Sequence, residues 1–460
     1  MEILILSGFA FFSKSIESHP RFGHNPHLKL RSGSRVESQK TFKVVTLGCR
    51  TNQYESQAYT DQLKKMGYRE VGEKQAAELC IVNTCTVTES ADSSSRHQIR
   101  SLKRQNPGAK LIVTGCLAER LPQEIAEMEE VDLVVPNKEK ENLLSLVFPQ
   151  QAVPDFVIEN FSAHTRAFVK VQDGCNSFCT YCIIPYVRGR SRSRRLEDVL
   201  NEVRSLVAHG YKEVVITGIN VGDYDGAPQE GESPVRLSQL VRAIDAVPGL
   251  CRLRVSSIDP DEIDEELTQV ILEGKTTCPS MHIVLQSGSN VILKRMNRKY
   301  TREIFLDTVE RLRAACPDFT VTTDIIVGFP GESEADFQDT LDVMNEVRFA
   351  KVHMFPYSER ARTRAALYPN KVPSMLISER KQRVLRLAEQ NAFELFSSYV
   401  GRTLSVLIEG DTETLPGYIS GHTENFIPVF VPIEMAEKND LIQVDLIENT
   451  PKGLIGKKVL

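Results

Sequence analysis

Two sets of three cysteines dominate the chemistry this chain can perform. The first is contiguous: DGCNSFCTYCIIPYVRGRSRSRR (173–195) places Cys175, Cys179 and Cys182 in a C-x3-C-x2-C spacing. On a loop, thiolates this close can wrap one face of a small metal cluster. Three protein ligands leave one iron of a cubane 4Fe–4S cluster open to a small chelating molecule. A zinc knuckle would need a fourth Cys or His nearby, and none follows closely.

The second set is dispersed. VTLGC, IVNTC and IVTGC end in Cys49, Cys85 and Cys116. Each cysteine follows directly on a short β-rich apolar run. The carboxyl ends of parallel strands share one sheet edge, so the pattern predicts three thiols converging in one crevice. Three unrelated core thiols are the plainer alternative, but their equivalent placement favours a shared second cluster, again with an open iron. Cys80, Cys251, Cys278 and Cys316 lack ligand spacing and read as structural thiols.

The elements that must position these cysteines are legible from periodicity. Runs at 42–47, 79–84, 111–115 and 131–135 alternate with helical patterns such as 53–66, 89–105 and 119–128. That alternation argues an N-terminal parallel α/β domain over 41–150. Residues 146–166, with Pro149 and Pro154, read as a linker. Strand-like runs at 168–172, 213–219, 253–258, 281–286, 319–327 and 350–355 then give six β/α units within 160–396, an incomplete (β/α)6 barrel. After a charged helix around 374–398, short strands at 403–409, 417–420, 426–431 and 441–447 predict a small all-β domain over 397–460.

Composition bounds the rest. The chain has 460 residues, 41% hydrophobic and 25% charged, which fits a multidomain globular protein and excludes disorder, collagen and a disulfide scaffold. No run is long and apolar enough to predict a membrane span. A net charge of −5 gives no whole-molecule attraction to nucleic acid, so RNA contact needs local basic patches. Residues 1–40 read as a disordered leader or an overlong start, with an organellar transit peptide as the alternative. The expected compartment is a reducing cytoplasm.

The cysteine loop matches the radical S-adenosylmethionine signature, which implies an open iron that holds the amine and carboxylate of S-adenosylmethionine. Reductive cleavage would then yield a 5′-deoxyadenosyl radical, able to take hydrogen from an unactivated C–H bond. With TLGCRTNQYES (46–56), VVITGINVGDY (214–224), LQSGSNVILKRMNRKYT (285–301) and TTDIIVGFPGE (322–332), the chain resembles the methylthiotransferases across roughly 42–460. These are radical enzymes with an N-terminal three-cysteine domain, a radical barrel and a C-terminal TRAM domain. Within them it is most similar to the threonylcarbamoyladenosine tRNA methylthiotransferases (MtaB type); Val284, where Pro is expected, departs from the pattern and should shift a barrel strand end slightly.

The resemblance implies two 4Fe–4S clusters, a radical one on Cys175, Cys179 and Cys182 and an auxiliary one on Cys49, Cys85 and Cys116. It also implies methylthiolation at C2 of N6-threonylcarbamoyladenosine at tRNA position 37. One S-adenosylmethionine would supply the methyl and a second the radical, with a flavodoxin- or ferredoxin-type reductant and a sulfur donor as partners. The alternatives are a methylthiotransferase of isopentenyladenosine tRNA or of a ribosomal protein aspartate, and a two-cluster electron-transfer or RNA-binding protein without S-adenosylmethionine chemistry.

Beyond the clusters no catalytic side chain is expected. Thr217, Gly218, Asn220, Ser256, Ser257 and Asp324 sit at strand ends and could hold S-adenosylmethionine, or could cap helices and shape turns. Gly328, Pro330 and Gly331 could admit the adenine or form a turn. Arg188, Arg190, Arg192, Arg194 and Arg195 are candidates for tRNA phosphate contact. KRMNRK (294–299) is a second basic candidate, and Tyr418, His422 and Phe426 with Lys452 a third.

Overall fold

A computed structural model describes residues 39–72, 74–159 and 165–459, so the leader expected over the first forty residues lies almost wholly outside them. The N-terminal region is a five-stranded parallel sheet. Its order is β2 (Arg69–Glu70), β1 (Thr41–Thr46), β3 (Leu79–Thr84), β4 (Lys110–Gly115) and β5 (Leu133–Val134). β3 is buried at every residue, as a strand covered on both faces must be. Register places Thr46 opposite Asn83 and Thr84 opposite Gly115, which brings the residues after β1, β3 and β4 to one edge. The helix expected over 119–128 is split by Pro122 into Cys116–Arg120 and Pro122–Ala126.

Six parallel strands form the second region. β6 (Arg166–Lys170), β9 (Glu213–Thr217) and β10 (Arg252–Val255) make one sheet; β11 (Ser280–His282), β12 (Thr320–Val327) and β13 (Lys351–Pro356) make another. Bridges Leu253–Thr277 and Ile258–Ile283 join the two halves. Among the described residues no pairing joins β13 to β6, so the (β/α)6 barrel stays open there. A two-stranded ribbon, β7 (Gln172–Asp173) and β8 (Arg192–Ser193), clasps the base of the cysteine loop. Val284 donates its N–H to the Ile258 carbonyl (3.1 Å), a bond that the expected proline could not make.

Helix Arg50–Lys65 is shared between these two regions. Twelve of its sixteen residues are buried, from Thr51 to Leu63 and including Asn52, Glu55, Ser56 and Gln57, because β1 lies on one side and β6 on the other. Tyr54 and Ala58 belong to the barrel core, while Tyr59 and Leu63 belong to the sheet's core. Phe156 packs on both cores and Ile158 on the barrel's, so the described part of the expected linker before residue 160 is packed rather than a free tether.

The C-terminal region is a closed barrel of β14 (Thr403–Asp411), β15 (Tyr418–Thr423), β16 (Pro428–Pro432), β18 (Gly453–Lys458) and β17 (Leu441–Thr450). Its β15–β16 turn docks against the amino ends of the (β/α)6 strands. Arg252 donates to the His422 carbonyl (3.0 Å), and Arg254 to those of Thr423 and Glu424 (2.8 and 2.7 Å). This corrects the sequence reading of His422 and Phe426. Their rings stack at 4.6 Å, and Arg166 and Arg254 lie over Phe426, so the pair serves the docking contact rather than an open RNA surface.

Candidate functional site

The strand-end cysteines arrive as the alternation predicts. Cys49 caps helix Arg50–Lys65, Cys85 follows β3, and Cys116 opens helix Cys116–Arg120. Gly48 has φ +93°, and a Cβ there would lie 2.8 Å from the Cys85 sulfur; only glycine lets the two segments approach this closely. Gly115, also at φ +93°, faces the Thr84 carbonyl in the same way. Burial, followed by the charge of neighbouring Cys116, pushes the Cys85 thiol up to about 12. Burial raises Cys116 as well, with Arg188 opposing and Cys49 adding to the rise. The three sulfurs therefore share one electrostatic environment.

That environment contains cations from both regions. Arg188 has a fully buried side chain, which bonds Glu55 (3.1 Å) and Asp173 (2.8 Å) and donates to Asn52 Oδ1. Lys140 bonds the same carboxylates at 2.7 and 2.5 Å, and Lys170 lies 3.7 Å from Glu55. Glu141 also pairs with Lys170 (2.9 Å), while Arg188 and Lys140 act on Cys116, where a nearby cation favours thiolate over thiol. Asn137 Nδ2 spans the regions, donating to Cys116 Sγ (3.7 Å) and to the Val187 carbonyl (2.8 Å). Cys116 also packs against Ile183 and Val187 from the radical loop, so the two cysteine sets are neighbours.

In the contiguous set, burial raises Cys175 and Cys182, and Cys179 adds to both rises. The Ser177 backbone N–H points at Cys175 Sγ (3.4 Å). Arg298 donates to Cys179 Sγ at 2.9 Å and pairs with Asp259. Among the described residues no three Cys, His, Asp or Glu side chains converge as ligands of a single ion. A cubane spreads its thiolates over separate corners, so three spaced thiols beside a guanidinium fit a cluster.

The strand-end residues divide into two groups. Gln172 Oε1 accepts the N–H groups of Ile219 (3.0 Å) and Asn220 (3.1 Å), while its Nε2 bonds Gly174 O (2.8 Å) and Ser191 Oγ (2.8 Å). It fastens the Thr217–Asn220 turn to the cysteine loop. Sequence reasoning missed Gln172; a glutamine closing the FVKVQ run just before DGC was the available signal. Val221 N–H reaches the Ser257 carbonyl (3.4 Å), so Thr217, Gly218, Asn220, Ser256 and Ser257 form one patch. Asp324 stands apart on β12, 3.3 Å from His282 Nε2. In the Gly328–Gly331 turn, Glu332 accepts the N–H groups of Gly328 and Phe329 and pairs with Arg380 (3.0 Å), an internal brace for that turn.

The arginine run is corrected in part. Arg188 is a buried interface residue, and Arg194 pairs with Glu202 beside Tyr54. Neither guanidinium is free to meet a phosphate. Arg190 lies over the Phe178 ring (4.3 Å), and the side chains of Arg192 and Arg195 are 51% and 45% exposed. In 294–299, Arg295 bonds Pro330 O and Arg298 serves Cys179, which leaves Lys294 and Lys299 exposed. Of the thiols expected to be structural, Cys80 and Cys278 are buried but Cys251 is exposed.

Comparison with known proteins agrees with this geometry. Residues 41–136 match the Uncharacterized protein family UPF0004 and residues 169–344 the Radical SAM superfamily. The threonylcarbamoyladenosine tRNA methylthiotransferase MtaB of Chlamydia pneumoniae is 49% identical over 92% of this chain and 99% of its own length. MtaB of Bacillus subtilis is 38% identical over 85% of this chain and 90% of its own. A tRNA-2-methylthio-N6-dimethylallyladenosine synthase of Finegoldia magna is 33% identical over 96% of this chain and 99% of its own. The fold is shared with the radical S-adenosylmethionine methyltransferase TsrM of Kitasatospora setae at a TM-score of 0.50, with 14% identity over 69% of this chain and 73% of that one. Two neighbouring three-cysteine sites, on a sheet edge and in an open (β/α)6 barrel, thus coincide with end-to-end similarity: the chain belongs to the radical S-adenosylmethionine tRNA methylthiotransferases, enzymes that use S-adenosylmethionine and 4Fe–4S chemistry.

Proposed function

We propose that the enzyme adds a methylthio group at C2 of N6-threonylcarbamoyladenosine at tRNA position 37, with the strand-end cysteines holding an auxiliary 4Fe–4S cluster. The supporting observation is the contact of Cys116 with Ile183 and Val187, which sets a second three-thiol site beside the radical loop. When bound, the clusters and S-adenosylmethionine supply a radical, a methyl group and sulfur. The protein's part is positioning. Cys175, Cys179 and Cys182 hold the radical cluster, with the Arg298 guanidinium beside Cys179. Cys49, Cys85 and Cys116 hold the other, with Arg188 screening it.

Gln172 sets the Thr217–Asn220 turn against the cysteine loop, where Thr217, Gly218, Asn220 and Ser257 meet the polar groups of S-adenosylmethionine. Asp324 pairs with His282 (3.3 Å). Arg190, Arg192 and Arg195 meet tRNA phosphates, and the C-terminal barrel, read as a TRAM domain, adds RNA surface away from its docked turn. The setting is cytoplasmic, with a flavodoxin- or ferredoxin-type reductant and a separate sulfur donor; no helix among the described residues is long and apolar enough to cross a membrane.

The deciding experiment is mass spectrometry of tRNA nucleosides from a deletion strain. The methylthio form of threonylcarbamoyladenosine should vanish while its parent persists. Loss of methylthio-dimethylallyladenosine instead would move the substrate, and unchanged nucleosides would end the tRNA reading.

A further inference from the structure

Arg50 follows Cys49 directly, yet its guanidinium turns towards the (β/α)6 barrel. Nη1 lies 3.4 Å from Ser256 Oγ at the end of β10, and the group sits 5.5 Å from the Phe168 ring on β6. The other arginines enclosed around the site each hold a carboxylate: Arg188 with Glu55 and Asp173, Arg254 with Glu213, Arg298 with Asp259 and Arg360 with Asp92. Among the described residues none lies within ion-pairing distance of Arg50. Arg166 and Arg254 oppose its charge and the carboxylates of Glu213 and Asp324 favour it, but neither carboxylate pairs with it directly. A guanidinium with no direct carboxylate partner can take one from a ligand.

The place narrows the anion. Arg50 stands at the mouth of the barrel, one residue from a thiol of the strand-end site. A substrate that presents adenine C2 to that site carries its N6 substituent alongside, because C2 and C6 flank the same ring nitrogen. A threonylcarbamoyl substituent ends in a carboxylate; a dimethylallyl substituent has no charge at all. We propose that Arg50, held by the Ser256 hydroxyl, binds the threonyl carboxylate of the modified adenosine and so makes the enzyme prefer threonylcarbamoyl over apolar N6 substituents. This rests on the nucleoside assigned under Proposed function. A guanidinium–carboxylate pair shielded from water discriminates by about ten- to a hundredfold.

The test uses anaerobically reconstituted holoenzyme and three anticodon stem-loops, carrying threonylcarbamoyladenosine, its methyl ester or dimethylallyladenosine. Wild type should bind the free carboxylate about ten- to a hundredfold tighter than the ester. Arg50→Gln should bind both alike, and Arg50→Lys should recover part of the difference, with iron content and S-adenosylmethionine affinity unchanged in both variants. An Arg50→Gln enzyme that keeps the carboxylate-to-ester ratio overturns the proposal. So does a variant that loses S-adenosylmethionine affinity, which would assign Arg50 to that molecule's carboxylate, or one that weakens all three RNAs equally, which would assign it to phosphate. Wild type that modifies only the dimethylallyl RNA would overturn the nucleoside assignment itself, and the proposal with it.

Discussion

The two cysteine sites reach the same ligand count by opposite routes. Cys175, Cys179 and Cys182 lie within eight residues of one loop, so local chain geometry alone keeps them together. Cys49, Cys85 and Cys116 are 36 and 31 residues apart and meet only because β1, β3 and β4 pair in register. Each site also has a guanidinium beside a cysteine, Arg298 at Cys179 and Arg188 near Cys116, and each guanidinium comes from a different segment. A local motif can therefore survive modest rearrangement of its domain, whereas a strand-end site depends on the sheet and on whatever holds that sheet against the barrel.

The sharpest way to break the comparison is to empty one site at a time. Replacing Cys175, Cys179 and Cys182 with Ala should lower bound iron from about eight to about four and abolish cleavage of S-adenosylmethionine. Replacing Cys49, Cys85 and Cys116 should remove a similar amount of iron and leave that cleavage intact. Iron analysis and 5′-deoxyadenosine formation measure both, and equal loss of cleavage in the two variants would show that the sites are not separable.

Next in size is the clasp between the regions. Arg188→Met leaves Glu55 and Asp173 short of a buried partner and should cost about 3–5 kcal/mol in chemical denaturation. Met cannot restore the charge beside Cys116, so retention of the strand-end iron should fall before that of the loop iron. Loss of both in parallel would count against a selective clasp.

Acid and base should act on opposite sides of the comparison. Burial raises the Glu55 carboxyl, but Arg188, Lys140 and Lys170 outweigh it and hold the group down at about 2. Its contribution is therefore present above the ordinary carboxylate range and is lost as pH falls from about 4.5 towards about 2. On the radical side, burial and then Asp259 push Glu262, which accepts from Asn220, up to about 7. That contribution is full below about 4.5 and is lost as pH rises to about 7. Glu262→Gln should remove about 2 kcal/mol of that alkaline loss, read as the difference between denaturation curves at pH 5 and pH 8; identical curves for variant and wild type would refute the assignment. The smallest effect is on the surface. Arg192→Glu with Arg195→Glu should weaken tRNA binding across sequences and reduce the logarithmic salt slope by about 2, with an unaltered slope returning both to plain surface.

Legibility followed locality. The β/α alternation and the cysteine after each of three strands were readable because strand period is a short-range property. The helical pattern over 53–66 was readable too, but the two-sided burial of helix Arg50–Lys65 was not, since its polar residues are enclosed by regions that the sequence presents as separate. Arg188 and Arg192 look alike in a basic run, and only the packing of helix Ile184–Val187 against Cys116 decides that one is enclosed and the other exposed. His422 and Phe426 suggested an RNA face for a similar reason: a stacked aromatic pair near cations suits a nucleobase as well as it suits a docked turn.

By itself the amino-acid order determined the thiol count, the spacing that makes a cluster loop, and the strand ends on which the second trio sits. Only the tertiary structure decided which charges face those thiols, that Gln172 joins the turn to the loop, and that Arg50 enters the barrel without a carboxylate paired to it among the described residues. The reason is range: a ligand set or a turn is encoded over a few neighbouring residues, whereas burial and charge balance are sums over segments that meet only after folding.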